Sequence, residues 1–153
     1  MKMKLAEALS ERADINRRIA QLSSRLAANA KVQEGESPAE EPKELLAELN
    51  ALSERLKRII TAVNLKNAEA LDNGTTLTEL IAQRDCLRMK INIIRNFLDE
   101  ASSTVSRGMR SEIKIKSTVD VRSSQTELDK LSKQLRELEM RLQRADWTVD
   151  VEI

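Results

Sequence analysis

Four stretches of this chain place their apolar residues at strictly alternating intervals of three and four. The series are Leu5, Ala8, Arg12, Ile15, Ile19, Leu22, Leu26; Leu45, Leu49, Leu52, Leu56, Ile59, Val63; Leu77, Leu80, Arg84, Leu87, Ile91, Ile94, Leu98; and Val121, Ser124, Leu128, Leu131, Leu135, Leu138, Leu142, Ala145. A 3.5-residue repeat keeps each series on one stripe of an α-helix, the seam of coiled-coil-like packing. Second apolar rows at Leu46, Ile60, Ile81, Ile93 and Phe97 widen the stripes, as bundle helices need. The pattern predicts an all-α fold: an antiparallel four-helix bundle with helices from about Lys4 to Ala30, Pro42 to Ala70, Thr76 to Ser102 and Val121 to Asp146. Residues 1–153 are expected to form a single helical-bundle domain.

Punctuation between the stretches agrees with this reading. Ser37 and Glu40 have capping-box spacing, and Pro38 suits a first helical position; Pro42 would then break a ladder bond, so a short turn is expected there with the main helix from about Pro42 onward. Asp72-Asn73-Gly74 reads as a tight turn, and Thr76 with Glu79 offers a second capping box. Short connections make the first three helices successive antiparallel neighbours. The third connection, from about Thr104 to Asp120, is longer, and in it Glu112-Ile113-Lys114-Ile115-Lys116 alternates with the period of a strand. The tail Val149-Asp150-Val151-Glu152-Ile153 does the same with carboxylates in place of lysines. The two extended segments flank the fourth helix. Its roughly 26 residues span about 39 Å, whereas the few residues after Lys116 reach only about 17 Å. Pairing between chains is therefore easier than pairing within one. The expected subunit contact joins Ile113, Lys114, Ile115 and Lys116 of one copy to Asp150 and Glu152 of another, with Trp147 at the junction.

Composition narrows the function classes. The chain has one Phe, one Trp and no Tyr, so its core must be aliphatic, which suits helix seams. A thin bundle with such a core gains from burying a face against a second copy. Twenty-six basic and twenty-five acidic side chains nearly cancel, which argues against a nucleic-acid binder. Arg107, Arg110, Lys114, Lys116 and Arg122 do cluster on the long connection, but no stacking aromatics accompany them. The single Cys86 allows no internal disulfide and fits a reducing compartment; beside the third seam it reads as a small buried hydrophobe. No apolar run follows the basic start, so no signal peptide is expected, and no segment is apolar for long enough to span a bilayer. A cytoplasmic protein without membrane partners is the expectation.

Nothing in the chain names a reaction. It has no His, which removes most general-base triads, most zinc sites and the Glu-x-x-His pattern of di-iron bundles. No metal or cofactor is expected, and the sequence leans away from an enzyme. One polar constellation stands out. Arg12 and Arg84 occupy seam positions, and a register counted from the turns brings Asn64 and Glu139 to their level, with Asn67 and Asp85 near. Such a layer reads first as a buried ion-pair network that fixes register, with Glu139 as the expected carboxylate. Its other reading is an anion site, two guanidiniums gripping a carboxylate or phosphate.

Several stretches together resemble an uncharacterised bacterial family of small helical proteins, a domain of unknown function some of whose members are labelled "septicolysin". They are Met3-Lys4-Leu5-Ala6-Glu7-Ala8-Leu9, Val32-Gln33-Glu34-Gly35-Glu36, Ala82-Gln83-Arg84-Asp85, Arg110-Ser111-Glu112-Ile113-Lys114, Ser117-Thr118-Val119-Asp120-Val121 and Trp147-Thr148-Val149-Asp150. The resemblance covers essentially the whole chain and implies no established activity and no catalytic residues. It also implies that Met3 matches the family's start. The label implies a membrane-active toxin, which the residues do not support. The reading carried forward is an oligomeric structural or protein-interaction protein. The alternatives are an anion-binding protein or enzyme using the Arg12/Arg84 layer, and the toxin of the label.

Overall fold

Apolar repeats become helices where capping groups and turn residues allow them to start and stop, and all four stretches do so in the computed structural model. It describes residues 1–104 and 113–153. In chain order the elements are β1 (Lys2–Lys4), α1 (Leu5–Ala28), α2 (Pro42–Glu69), β2 (Leu71–Asp72), β3 (Thr75–Thr76), α3 (Leu77–Ser102), α4 (Val121–Thr148) and β4 (Asp150–Glu152). The chain forms two compact units, Met1–Leu71 with Arg144–Ile153, and Asp72–Gln143.

The first unit is built on the hairpin of α1 and α2. Leu5, Ala8, Ile15 and Leu22 are buried on α1, and Leu45, Leu52, Ile59 and Val63 on α2. These are members of the 3.5-residue series, so a single seam holds the pair. Ion pairs along its edge fix the register: Arg55 grips Glu11 with Nε–Oε1 2.7 Å and Nη2–Oε2 2.9 Å, and Arg18 reaches Glu48 at 3.1 Å. A step of seven residues along α1 is matched by seven in reverse along α2, so the helices run antiparallel. The expected Ser37–Glu40 capping box does not form. The Glu40 carboxylate instead accepts from Arg25 Nε at 3.0 Å, and its amide donates to Oδ1 of the buried Asn29 at 3.0 Å. Asn29 Nδ2 in turn donates to the Arg25 carbonyl, so the polar end of α1 is satisfied and α2 starts at Pro42.

A short clasp joins the chain's two ends. β1 and β4 pair antiparallel, with Lys2 opposite Glu152, Met3 opposite Val151 and Lys4 opposite Asp150. The terminal amine donates to the Ile153 carbonyl at 2.8 Å, and the Leu5 amide to Val149 O at 2.9 Å. Val151 is buried beneath the pair. This corrects the expected strand pairing of the tail. Its carboxylates meet Lys2 and Lys4 of their own chain, because the start carries the same lysine alternation. Lys4 Nζ lies 2.8 Å and Lys2 Nζ 3.1 Å from Asp150, and their hydrogen bonds, Lys4's first, hold the Asp150 carboxyl below its usual range.

In the second unit, Asn73 (φ 52°) and Gly74 (φ 83°) turn the chain between β2 and β3. Positive φ at both central positions is the geometry of a type I′ hairpin. Thr76 then caps α3 by accepting from the Glu79 amide at 3.2 Å. Asp120 caps α4 through the amides of Arg122 and Ser123. Ile91, Leu98 and Leu128 form the core between α3 and α4, with Leu87, Ile94, Val119, Leu131 and Leu135 against them. Arg141 of α4 anchors the turn by its 2.7 Å bond to Asp72.

Candidate functional site

Within each unit, the polar residues do not form the pairs that the turns suggested. Within the first unit, the register set by Glu11–Arg55 puts Arg12 level with Glu54. Asn64 lies about ten residues further along α2, roughly 15 Å away. The reason is the connection over residues 29–41, which is not folded about Glu36 as the count assumed. Asn64 is exposed, and Arg12, half-buried, has no ion-pair partner among the described residues. In the second unit Glu139 does meet an arginine across the hairpin, but it is Arg88, at 2.6 Å. Arg84 is one helical turn away and bonds its chain neighbour Asp85 at 2.9 Å. The register was thus read to within a turn, and the carboxylate went to the neighbouring guanidinium.

The candidate contact residues also separate. Ile113, Lys114, Ile115 and Lys116 are exposed and form no strand; Glu112, Arg107 and Arg110 lie outside the described residues. Trp147, 61% exposed, stands beside the first turns of α1, where a groove is lined by Glu7, Glu11, Asp14 and Arg17. Those carboxylates are already engaged: Glu7 accepts the Lys4 amide, Glu11 holds Arg55, and Asp14 pairs with Arg17. No group of His, Cys, Asp and Glu among the described residues could hold a metal ion, and no described helix is long and apolar enough to cross a membrane.

What the structure adds is a second apolar row. Met89, Ile93 and Phe97 follow one another at four-residue intervals on α3 and are 60%, 63% and 48% exposed. At 100° per residue Met89 and Ile93 lie roughly 170° and 130° round from the mean direction of Leu87, Ile91, Ile94 and Leu98, which face α4, and Phe97 lies about 90° round, on the flank. Cys86 extends the row and is exposed, which corrects the expectation that it is buried. The row runs into a shallow groove of about 230 Å³ at the end of α3, where Phe97 and Ala101 face Ile115 and Thr118 of the returning connection. Sequence reasoning missed Met89 and assigned Ile93 and Phe97, like Leu46 and Ile60, to the core. All four are exposed, because a two-helix seam needs only one stripe per helix. Only Ile81 of those rows is half-buried.

Electrostatics around the row are simple. Lys90 flanks it toward the N-terminal end of α3 and Glu100 toward the C-terminal end, ten residues apart. Neither forms an ion pair among the described residues. The arrangement offers no nucleophile–base pair and no metal ligands. It offers dry contact area with a charge at each end.

Compared with known proteins, residues 12–151 match the model of a family described as a family of unknown function (DUF6847). Among solved structures, the chain is similar to a functionally unknown conserved protein from Corynebacterium diphtheriae. The two share 35% identity over 99% of this chain and 100% of that chain, with a TM-score of 0.92. No curated protein matches the chain.

Proposed function

The chain belongs to this family of unknown function, DUF6847, and we propose that it acts as a homo-oligomeric structural or protein-interaction protein whose contact surface is the outer face of α3. The exposed row of Met89, Ile93 and Phe97 carries this reading. Scattered apolar residues on a surface are ordinary, but a row of large apolar side chains on one helix face, with few charges beside it, is the composition of a contact surface. Met and Phe are among the residue types enriched at such contacts. Four-helix packing, the sequence expectation, is then reached when one α3/α4 hairpin meets another.

Solution mass by light scattering tests the reading. A wild-type mass near twice 17.3 kDa, reduced to that of one chain by Ile93→Lys with an unchanged helical circular dichroism spectrum, supports it. A wild-type chain that stays at monomer mass at every concentration reached defeats it.

A further inference from the structure

We infer that two copies pair through α3 in antiparallel register about a two-fold axis level with Arg95, a proposal that rests on the self-association just described and names its partner and geometry. Among the antiparallel registers that set the row's apolar side chains on one another, this one also matches its charges. Ile93 of each copy falls opposite Phe97 of the other, and Met89 falls opposite Ala101, at the groove that Phe97 lines with Ile115. Ile93 and Phe97 lie on either side of the face's midline, as layers across an antiparallel helix pair require. The same register sets Lys90 of each copy beside Glu100 of the other, so these two charges, which form no ion pair among the described residues, meet twice by symmetry.

The alternatives fare worse on the same residues. A parallel pairing stacks Lys90 on Lys90 and Glu100 on Glu100, two like-charge contacts in place of two attractive ones. Sliding the antiparallel pair one turn keeps apolar contacts, Ile93 on Ile93 with Met89 on Phe97 or Phe97 on Phe97, but sets Lys90 level with Asn96 or Thr104 in place of Glu100, so the charge pair decides the register. The apolar stretch from Met89 to Ala101 covers about 18 Å, so the contact is compact and its register is decided by a few side chains. Ile115 and Lys116, expected in the subunit contact as strand residues, enter it here as the edge of the groove.

Crosslinking reads the register directly. In a Cys86→Ser background, Lys90→Cys and Glu100→Cys chains are oxidised separately and as a mixture. The antiparallel register gives a covalent dimer from the mixture alone. Crosslinking of either variant with itself means a parallel pairing, and a dimer by mass that never crosslinks means a contact elsewhere. Each of those overturns the register while self-association stands, whereas a wild-type monomer overturns both. Charge exchange gives a second reading without cysteines. Lys90→Glu is expected to weaken the dimer on the order of tenfold, and Lys90→Glu with Glu100→Lys to return it to within about threefold of wild type. Failure of the second change to restore affinity overturns the pairing.

Discussion

Ile91 and Ile93 stand two residues apart on α3 with the same side chain and opposite surroundings, 2% and 63% exposed. Truncating each to alanine separates the hairpin core from the outer face. Ile91→Ala removes three buried carbons, about 2.4 kcal/mol at roughly 0.8 each. If about half of the vacated volume persists, a cavity term of about 1 kcal/mol is added. The expected cost is roughly 3–4 kcal/mol, which lowers the melting temperature by about 7–15 °C for a chain of this size. Ile93→Ala loses only about a third of the transfer term, below about 1 kcal/mol, and gains a few tenths from the better helix propensity of alanine. Its net cost within one chain is therefore about 0.5 kcal/mol. Thermal and urea unfolding followed by circular dichroism, at a series of protein concentrations, distinguishes the two. Ile91→Ala should be destabilised at all concentrations. Ile93→Ala should match wild type when dilute and fall behind it as concentration rises and wild-type chains associate. A dilute Ile93→Ala chain as unstable as Ile91→Ala would mean that the outer row is packed within its own chain, and the contact surface would not exist.

Two further outcomes follow from local geometry. Glu11 is held below its ordinary carboxylate range by hydrogen bonds from Arg55, outweighing partial burial. A lowered folded-state pKa contributes stability that is complete above the unfolded value and lost as pH falls through the folded one. The stability difference between wild type and Glu11→Gln, at most about 1 kcal/mol for this half-exposed pair, should be full at neutral pH. It should shrink from about pH 4.5 downward, and a difference independent of pH would mean that the pair does not form in solution. Gly74 has φ +83°, so Gly74→Ala should lower the unfolding free energy by about 1–2 kcal/mol from left-handed backbone strain alone, since open space surrounds its Cβ position. An unchanged melting curve would remove the positive-φ turn.

How much of this was legible in the sequence depended on whether the signal was local. The 3.5-residue series gave the helices to within about two residues, because helix formation and seam burial are read from the same spacing. Thr76 was correctly seen as a cap, since its partner Glu79 is three residues away. Register across a connection was harder. Arg12 and Asn64 miss each other because the chain over residues 29–41 is taken up by the Asn29–Glu40–Arg25 network, which no local pattern announces. Glu139 misses Arg84 by one turn, within the error of counting back from a connection as long as that between α3 and α4. β1 escaped notice for another reason: three residues are too few for a period, and their partner lies at the other end of the chain. The outer row of α3 is the instructive case. Apolar residues at Met89, Ile93 and Phe97 have the same spacing whether they fill a bundle made by one chain or wait for a second copy. Periodicity says which side chains share a face, and says nothing of whose surface covers it. Exposure shows that this chain's described residues leave the row open, and the proposed pairing adds the opposite charges of Lys90 and Glu100, which a partner running the other way brings beside one another.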